Sequence, residues 1–104
     1  MNKRSNNQNI EWILERIKEI VAKHLNVDYQ LILFGSRVRD DFHARSDIDA
    51  GIISDSPIKS GIMVTIRDDL DQIPTLLKID LVDFNTISKG VRQIALQHFQ
   101  ELTI

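Results

Sequence analysis

The apolar positions of this chain change period several times. From Asn9 onward Ile10, Ile13, Leu14, Ile17, Val21 and Leu25 recur at helical spacing, so residues 10 to 25 read as an amphipathic helix with Asn9 as its N-cap. Leu31-Ile32-Leu33-Phe34 is a short continuous apolar run closed by Gly35, the pattern of a buried strand. Ile48, Ala50 and Ile52 alternate with Asp47, Asp49 and Gly51, which predicts a second strand. Ser56-Pro57, a cap followed by proline at the first helical position, opens a second long helix whose stripe is Ile62, Ile66, Leu70 and Ile73, ending before Pro74. Lys78 to Phe84 is a third apolar run, with a third strand near Ile79. Ser88 caps a last helix on which Val91, Ile94, Ala95 and Phe99 face the core, with Gly90 weakening its first turn. The order is α/β: a small sheet of three or more strands, helices on one face and the aspartates on the other.

The chemistry gathers behind the first strand. Gly35 permits a sharp turn and lets backbone N–H groups approach a ligand, and Ser36 falls where a short helix would start, able to cap it or donate to a phosphate oxygen. Arg37 and Arg39 add charge-assisted donors beside this cradle. Ten residues after Ser36 comes Ser46-Asp47-Ile48-Asp49. On a strand, Asp47 and Asp49 project from the same face roughly 7 Å apart, and two carboxylates on one face suit a hard cation. In the third run Asp80 shares a face with Val82 and Phe84, and Asp83 with Ile79 and Leu81, so only one can join the pair. Asp80, in the middle of the run, is the expected member; an ionised carboxylate there needs a partner or a metal. Three carboxylates holding Mg²⁺ beside a phosphate cradle describe a two-metal phosphoryl or nucleotidyl transfer site, with Asp80 on the second ion and serving as general base.

The glycine-serine pair, the spacer, Asp47-Ile48-Asp49 and the later apolar strand with Asp80 resemble the nucleotidyltransferase superfamily of DNA polymerase beta type. The short length resembles its minimal nucleotidyltransferase (MNT) branch, over roughly residues 28 to 95. The resemblance implies the polymerase beta-type fold with a small mixed sheet. It also implies a hetero-oligomer with a HEPN-domain protein and an antitoxin role in which AMP passes from ATP to a tyrosine of that HEPN ribonuclease. By motif position, Gly35 and Ser36 would bind the triphosphate, Arg39 would support it, and Asp47, Asp49 and Asp80 would hold two Mg²⁺ ions. The chain departs from the family pattern at Asp40 and Asp41, where a glycine usually follows the arginine, and at Ala50-Gly51, where large aliphatic residues usually stand. Asp40 and Asp41 put negative charge near the triphosphate. Gly51 marks either a close backbone approach or a looser strand.

Composition fits one compact domain. The chain has 104 residues, 42% of them apolar, enough to bury somewhat under about 70% of its unfolded surface. Residues 9–104 are expected to form the transferase domain, preceded by a polar, disordered stretch from Met1 to Gln8. There is no cysteine and hence no disulfide framework, no apolar segment near the roughly 18 residues of a membrane span, and no signal-peptide pattern, so the expected location is the cytoplasm. With 13 basic against 15 acidic residues and no basic block, direct nucleic-acid binding is not expected. Once four helices and three strands are assigned, no residues remain for an acceptor domain, which places the acceptor on a partner. A non-catalytic module that neutralises its partner by masking it is the competing reading, and adenylylation of a small molecule is the third. Trp12 reads as a rim residue, His24, His43 and His98 as no metal ligands, and Asp68, Asp69 and Asp71 as the solvated side of a helix.

Overall fold

The computed structural model describes residues 10–38 and 47–103, with only the backbone at Ser36. In chain order the elements are helix α1 (Glu11–His24), strand β1 (Tyr29–Phe34), a 3-10 turn (Gly35–Arg37), β2 (Ile48–Ser54), α2 (Ser60–Leu70), β3 (Ile79–Asp83), a second 3-10 turn (Phe84–Thr86), α3 (Lys89–Ala95) and β4 (Phe99–Glu101). The sheet order is β3-β2-β1-β4. β1 runs antiparallel to β2 and to β4, while β2 and β3 are parallel, so the sheet is mixed. A parallel pair cannot be joined by a hairpin; α2 supplies the crossover.

Alternation along the strands decides which face is the core. Leu31 and Leu33 of β1, Ile48, Ala50 and Ile52 of β2, and Leu81 of β3 join one buried cluster with Ile13, Ile17 and Val21 of α1 and Met63, Ile66 and Leu70 of α2. Each residue between them points to the opposite face, where Ile32 is also fully buried. The α1 helix carries Glu11 in its first turn and Lys23 and His24 in its last, charges that complement the helix dipole. Its expected cap, Asn9, lies outside the described residues, as do Met1 to Gln8; Ile10 occupies the cap position and makes no side-chain cap.

Three helix boundaries differ from those expected, the end of α2 among them: it stops at Leu70, so Ile73 lies beyond the helix. The α2 helix starts at Ser60, not after Ser56-Pro57. The buried Asp83 carboxylate accepts a hydrogen bond from Ile58 N at 2.7 Å, which ties this linker to the end of β3. The last helix keeps its Ser88 cap, whose Oγ accepts from Val91 N, but it stops at Ala95. Phe99 belongs to β4, because the outer edge of β1 offers unpaired backbone groups and Leu102 beyond it is buried. Val91, Ile94 and Phe99 are exposed rather than turned into the core. The expectation that helices share one face therefore holds for α1 and α2; α3 stands on the aspartate side, lining a cleft with Phe34 and Asp49. Trp12, read as a rim residue, is 46% exposed.

Asp69 does more than face solvent. Its Oδ2 lies 2.6 Å from His24 Nε2 and 3.6 Å from Lys23 Nζ, joining α2 to the end of α1. The hydrogen bond from His24, helped by the Lys23 charge, holds the Asp69 carboxyl below its ordinary range. A depressed folded value stabilises the protein above the unfolded carboxyl value, about 3.9, and that stabilisation is lost as pH falls through the folded value. Asp69→Asn should therefore lower the urea midpoint at pH 6, and the gap to the parent protein should close as pH falls below about 4. A gap that stayed constant as pH fell well below that value would show that the carboxylate charge contributes nothing.

Candidate active site

The strand register assembles the carboxylates. Asp49 of β2 and Asp80 of β3 are direct partners in the parallel pairing, so both leave the sheet on the face opposite the core, next to each other. Asp83 points the other way. It is 2% exposed and accepts from Asn85 N at 2.9 Å as well as from Ile58 N, a structural carboxylate with its hydrogen bonds made. Asp80 is partly exposed, with Lys78 Nζ 3.9 Å from Oδ1. Asp47 is exposed and precedes β2 instead of lying on it. Among the described residues no three His, Cys, Asp or Glu side chains are grouped closely enough to hold one ion; Asp49 and Asp80 are adjacent in the sheet, and Asp47 lines the same cleft as Asp49. Because β2 starts at Ile48, strand geometry aligns Asp49 with Asp80, while Asp47 belongs to the preceding segment.

The glycine turn adjoins this pair. Gly35 has φ 80°, a conformation open to glycine, and a Cβ built on it would overlap Asp49 Oδ2. The helix expected here is a single 3-10 turn closed by Val38 N donating to Gly35 O at 3.1 Å. Arg37 is turned inward, 2% exposed, and burial pushes its guanidinium below its ordinary value while leaving it charged. Arg37 is thus a buried cation rather than a surface one. The Ser36 side chain, Arg39, Asp40, Asp41, His43, Arg45 and Ser46 lie outside what the structure describes.

Gly51 marks a close approach. A Cβ there would overlap the Phe84 ring, which packs on the bare backbone of β2 and meets Phe34 edge to face, centroids 5.4 Å apart at 79°. Arg92 of α3 donates from Nη2 to Phe84 O at 2.7 Å, anchoring the last helix to the same turn. Asn85 Nδ2 donates to Ser54 O, tying that turn to the end of β2.

Two clefts meet here. One, about 720 Å³, runs along β3 and is lined by Asp80, Lys78, Arg67 and Leu77. The other, about 470 Å³, lies between Gly35, Asp47 and the α3 side, lined there by Val91, Ile94, Gln97 and His98. Both are lined by Phe34, Asp49 and Val91. Sequence reasoning left Gln97 and His98 aside, since nothing in their spacing signals a site. Pairing of Phe34 with Phe99 brings them to the glycine turn.

Residues 15–102 match the family described as polymerase beta, nucleotidyltransferase. A probable protein adenylyltransferase, MntA of Haemophilus influenzae, is 30% identical over 78 residues, which span 75% of this chain and 68% of that protein. Among solved structures, the tri-AMPylated Shewanella oneidensis HEPN toxin in complex with MNT antitoxin matches with a TM-score of 0.69 at 17% identity, over 89% of this chain and 71% of the matched one. A toxin-antitoxin structure with AMP-PNP matches with a TM-score of 0.65 at 20% identity, over 86% and 72%. The structural likenesses show a common fold.

The contact between Gly51 and Phe84 can be tested by a double-mutant cycle. Gly51→Ala should cost about 1–3 kcal/mol in urea denaturation, because the ring has to shift. In a Phe84→Leu background the same change should cost about 1 kcal/mol less. Equal costs in both backgrounds would show that the ring does not set the requirement for glycine.

Proposed function

The chain belongs to the polymerase beta nucleotidyltransferase family, and from that premise we propose that it transfers AMP from ATP to a tyrosine hydroxyl of a HEPN-domain partner, as the antitoxin of a toxin-antitoxin pair. The observation that carries this reading is the position of Asp49: beside the glycine turn, in register with Asp80, and at the junction of two clefts. A transferase needs a donor site and an acceptor site that share one reacting point. The adenylyltransferase name of the Haemophilus relative and the AMPylated HEPN toxin of the Shewanella complex support the same assignment. In this reading residues 9–104 constitute one minimal nucleotidyltransferase domain, working in the cytoplasm where ATP and a ribonuclease toxin are met. No described helix is long and apolar enough to cross a membrane.

The donor triphosphate lies along the smaller cleft against Gly35, where the missing Cβ lets backbone approach both the phosphates and Asp49. Ser36, Arg37 and Arg39 would serve the phosphate side, with buried Arg37 contributing positive charge. The acceptor hydroxyl enters along β3 and meets Asp80. The donor set is all oxygen, with Asp49 and Asp80 on one face, which suits Mg²⁺ held by Asp47, Asp49 and Asp80. When bound, Mg²⁺ neutralises the triphosphate and lowers the pKa of the attacking hydroxyl. Asp80 accepts the tyrosine proton as the phenolic oxygen bonds to the α-phosphorus, and the bond to pyrophosphate breaks.

A masking module without catalysis is the second reading, favoured by the two acidic residues Asp40 and Asp41 that follow Arg39 in the sequence. Intact-mass spectrometry of the HEPN partner after incubation with the purified chain and Mg-ATP separates the two. One or more AMP units should appear on the partner, and Asp49→Ala should slow their appearance more than about a hundredfold while the complex persists. Neutralisation of the partner by Asp49→Ala at parental potency, with no AMP gained by either protein, would establish masking instead.

A further inference from the structure

The smaller cleft has two chemically different ends. Gly35, Asp47 and Asp49 form one; Val91, Ile94 and Ala95 of α3, followed by Gln97 and His98, form the other. A triphosphate has no apolar surface to match the second end, yet Val91 and Ile94 leave 53% and 67% of their surfaces exposed there. A flat heterocycle has such a surface, with polar atoms confined to its rim. The antiparallel pairing of Phe34 with Phe99 sets the chain just before Phe99 alongside the glycine turn, so this wall continues directly from the phosphate end. Gln97 is delivered by a hydrogen-bonded turn, its N–H donating to Ile94 O at 3.2 Å. A volume of about 470 Å³ lies in the range, roughly 300–1,000 Å³, of sites that hold a ligand of nucleotide size.

We propose that Val91, Ile94 and Ala95 hold the nucleobase of the donor and that Gln97 reads its edge, selecting adenine over guanine. This rests on the smaller cleft being the donor site. A glutamine amide presents one donor and one acceptor side by side, which complements the N6 amino group and N7 of adenine. Guanine presents two acceptors, O6 and N7, at the same edge, so one of them would face the amide oxygen. The aliphatic wall binds the ring without distinguishing bases.

Calorimetric titration of the parent protein, Ile94→Ser and Gln97→Ala with ATP, GTP and inorganic triphosphate, each with Mg²⁺, tests this assignment. Both substituted side chains are exposed, so the variants should fold as the parent does. The parent should bind ATP more than about tenfold tighter than inorganic triphosphate, and Ile94→Ser should weaken ATP about fivefold while leaving inorganic triphosphate unchanged. Gln97→Ala should reduce the preference for ATP over GTP by about fivefold. If ATP and inorganic triphosphate bound the parent equally, or both variants kept parental ATP affinity and selectivity, the base pocket would be refuted and the donor cleft would stand. If Ile94→Ser kept ATP affinity but lost the HEPN partner, the wall would be a protein interface and the base pocket would again fall. Failure of the parent to bind any of the three ligands would overturn the proposed function together with this inference.

Discussion

Everything at the site depends on the register of β2 against β3. Ile48 and Ile79, Asp49 and Asp80, Ala50 and Leu81 stand opposite one another in a parallel pair. The core holds this register, because Ile48, Ala50, Ile52 and Leu81 must all reach the face covered by α1 and α2. A slip of one residue would carry Asp49 or Asp80 into that apolar layer, where an ionised carboxylate without partners is costly, and would turn isoleucines out to water. The hydrophobic effect thus aligns two charges that by themselves repel.

The opposite face is less uniform. Under the Phe84 ring the sheet has no side chain at Gly51, and Phe34 closes against that ring from β1. Asp83 and Asn85 fix the backbone on either side of Phe84, and Arg92 fixes its carbonyl. An aromatic pair therefore sits beside the aspartates with its surroundings pinned by hydrogen bonds, and Phe34 lines both clefts. The Asp83 carboxylate looks in sequence like a rival to Asp80. In the fold it accepts from backbone N–H groups of the linker before α2 and of the turn after β3.

The placing of the glycine turn and of the aspartates on the strands is the part of the protein most legible in its sequence. Strand period alone separates Asp80 from Asp83, and Gly35 at the end of an apolar run announces a turn. The alternatives for Gly51 could not be separated in the same way, because its partner, Phe84, is 33 residues away in the sequence. The last helix misled for a related reason. Val91, Ile94 and Phe99 repeat at helical spacing, but β1 has an open edge, and the hydrogen bonds available there convert the segment around Phe99 into β4. Local periodicity records apolar spacing and carries no information about what a neighbouring strand offers.

The sequence by itself determined α1, the three strands β1 to β3 with their two faces, and the cap of the last helix, because side-chain alternation, helical period and capping are local properties of the chain. Only the tertiary structure decided which residues meet. It set Asp49 beside Gly35 and Asp80, left Asp47 outside the strand, turned Arg37 inward, and brought Gln97 and His98 to the cleft. Those outcomes follow from strand order, register and the competition for buried backbone hydrogen bonds, quantities that exist only once distant segments are packed together.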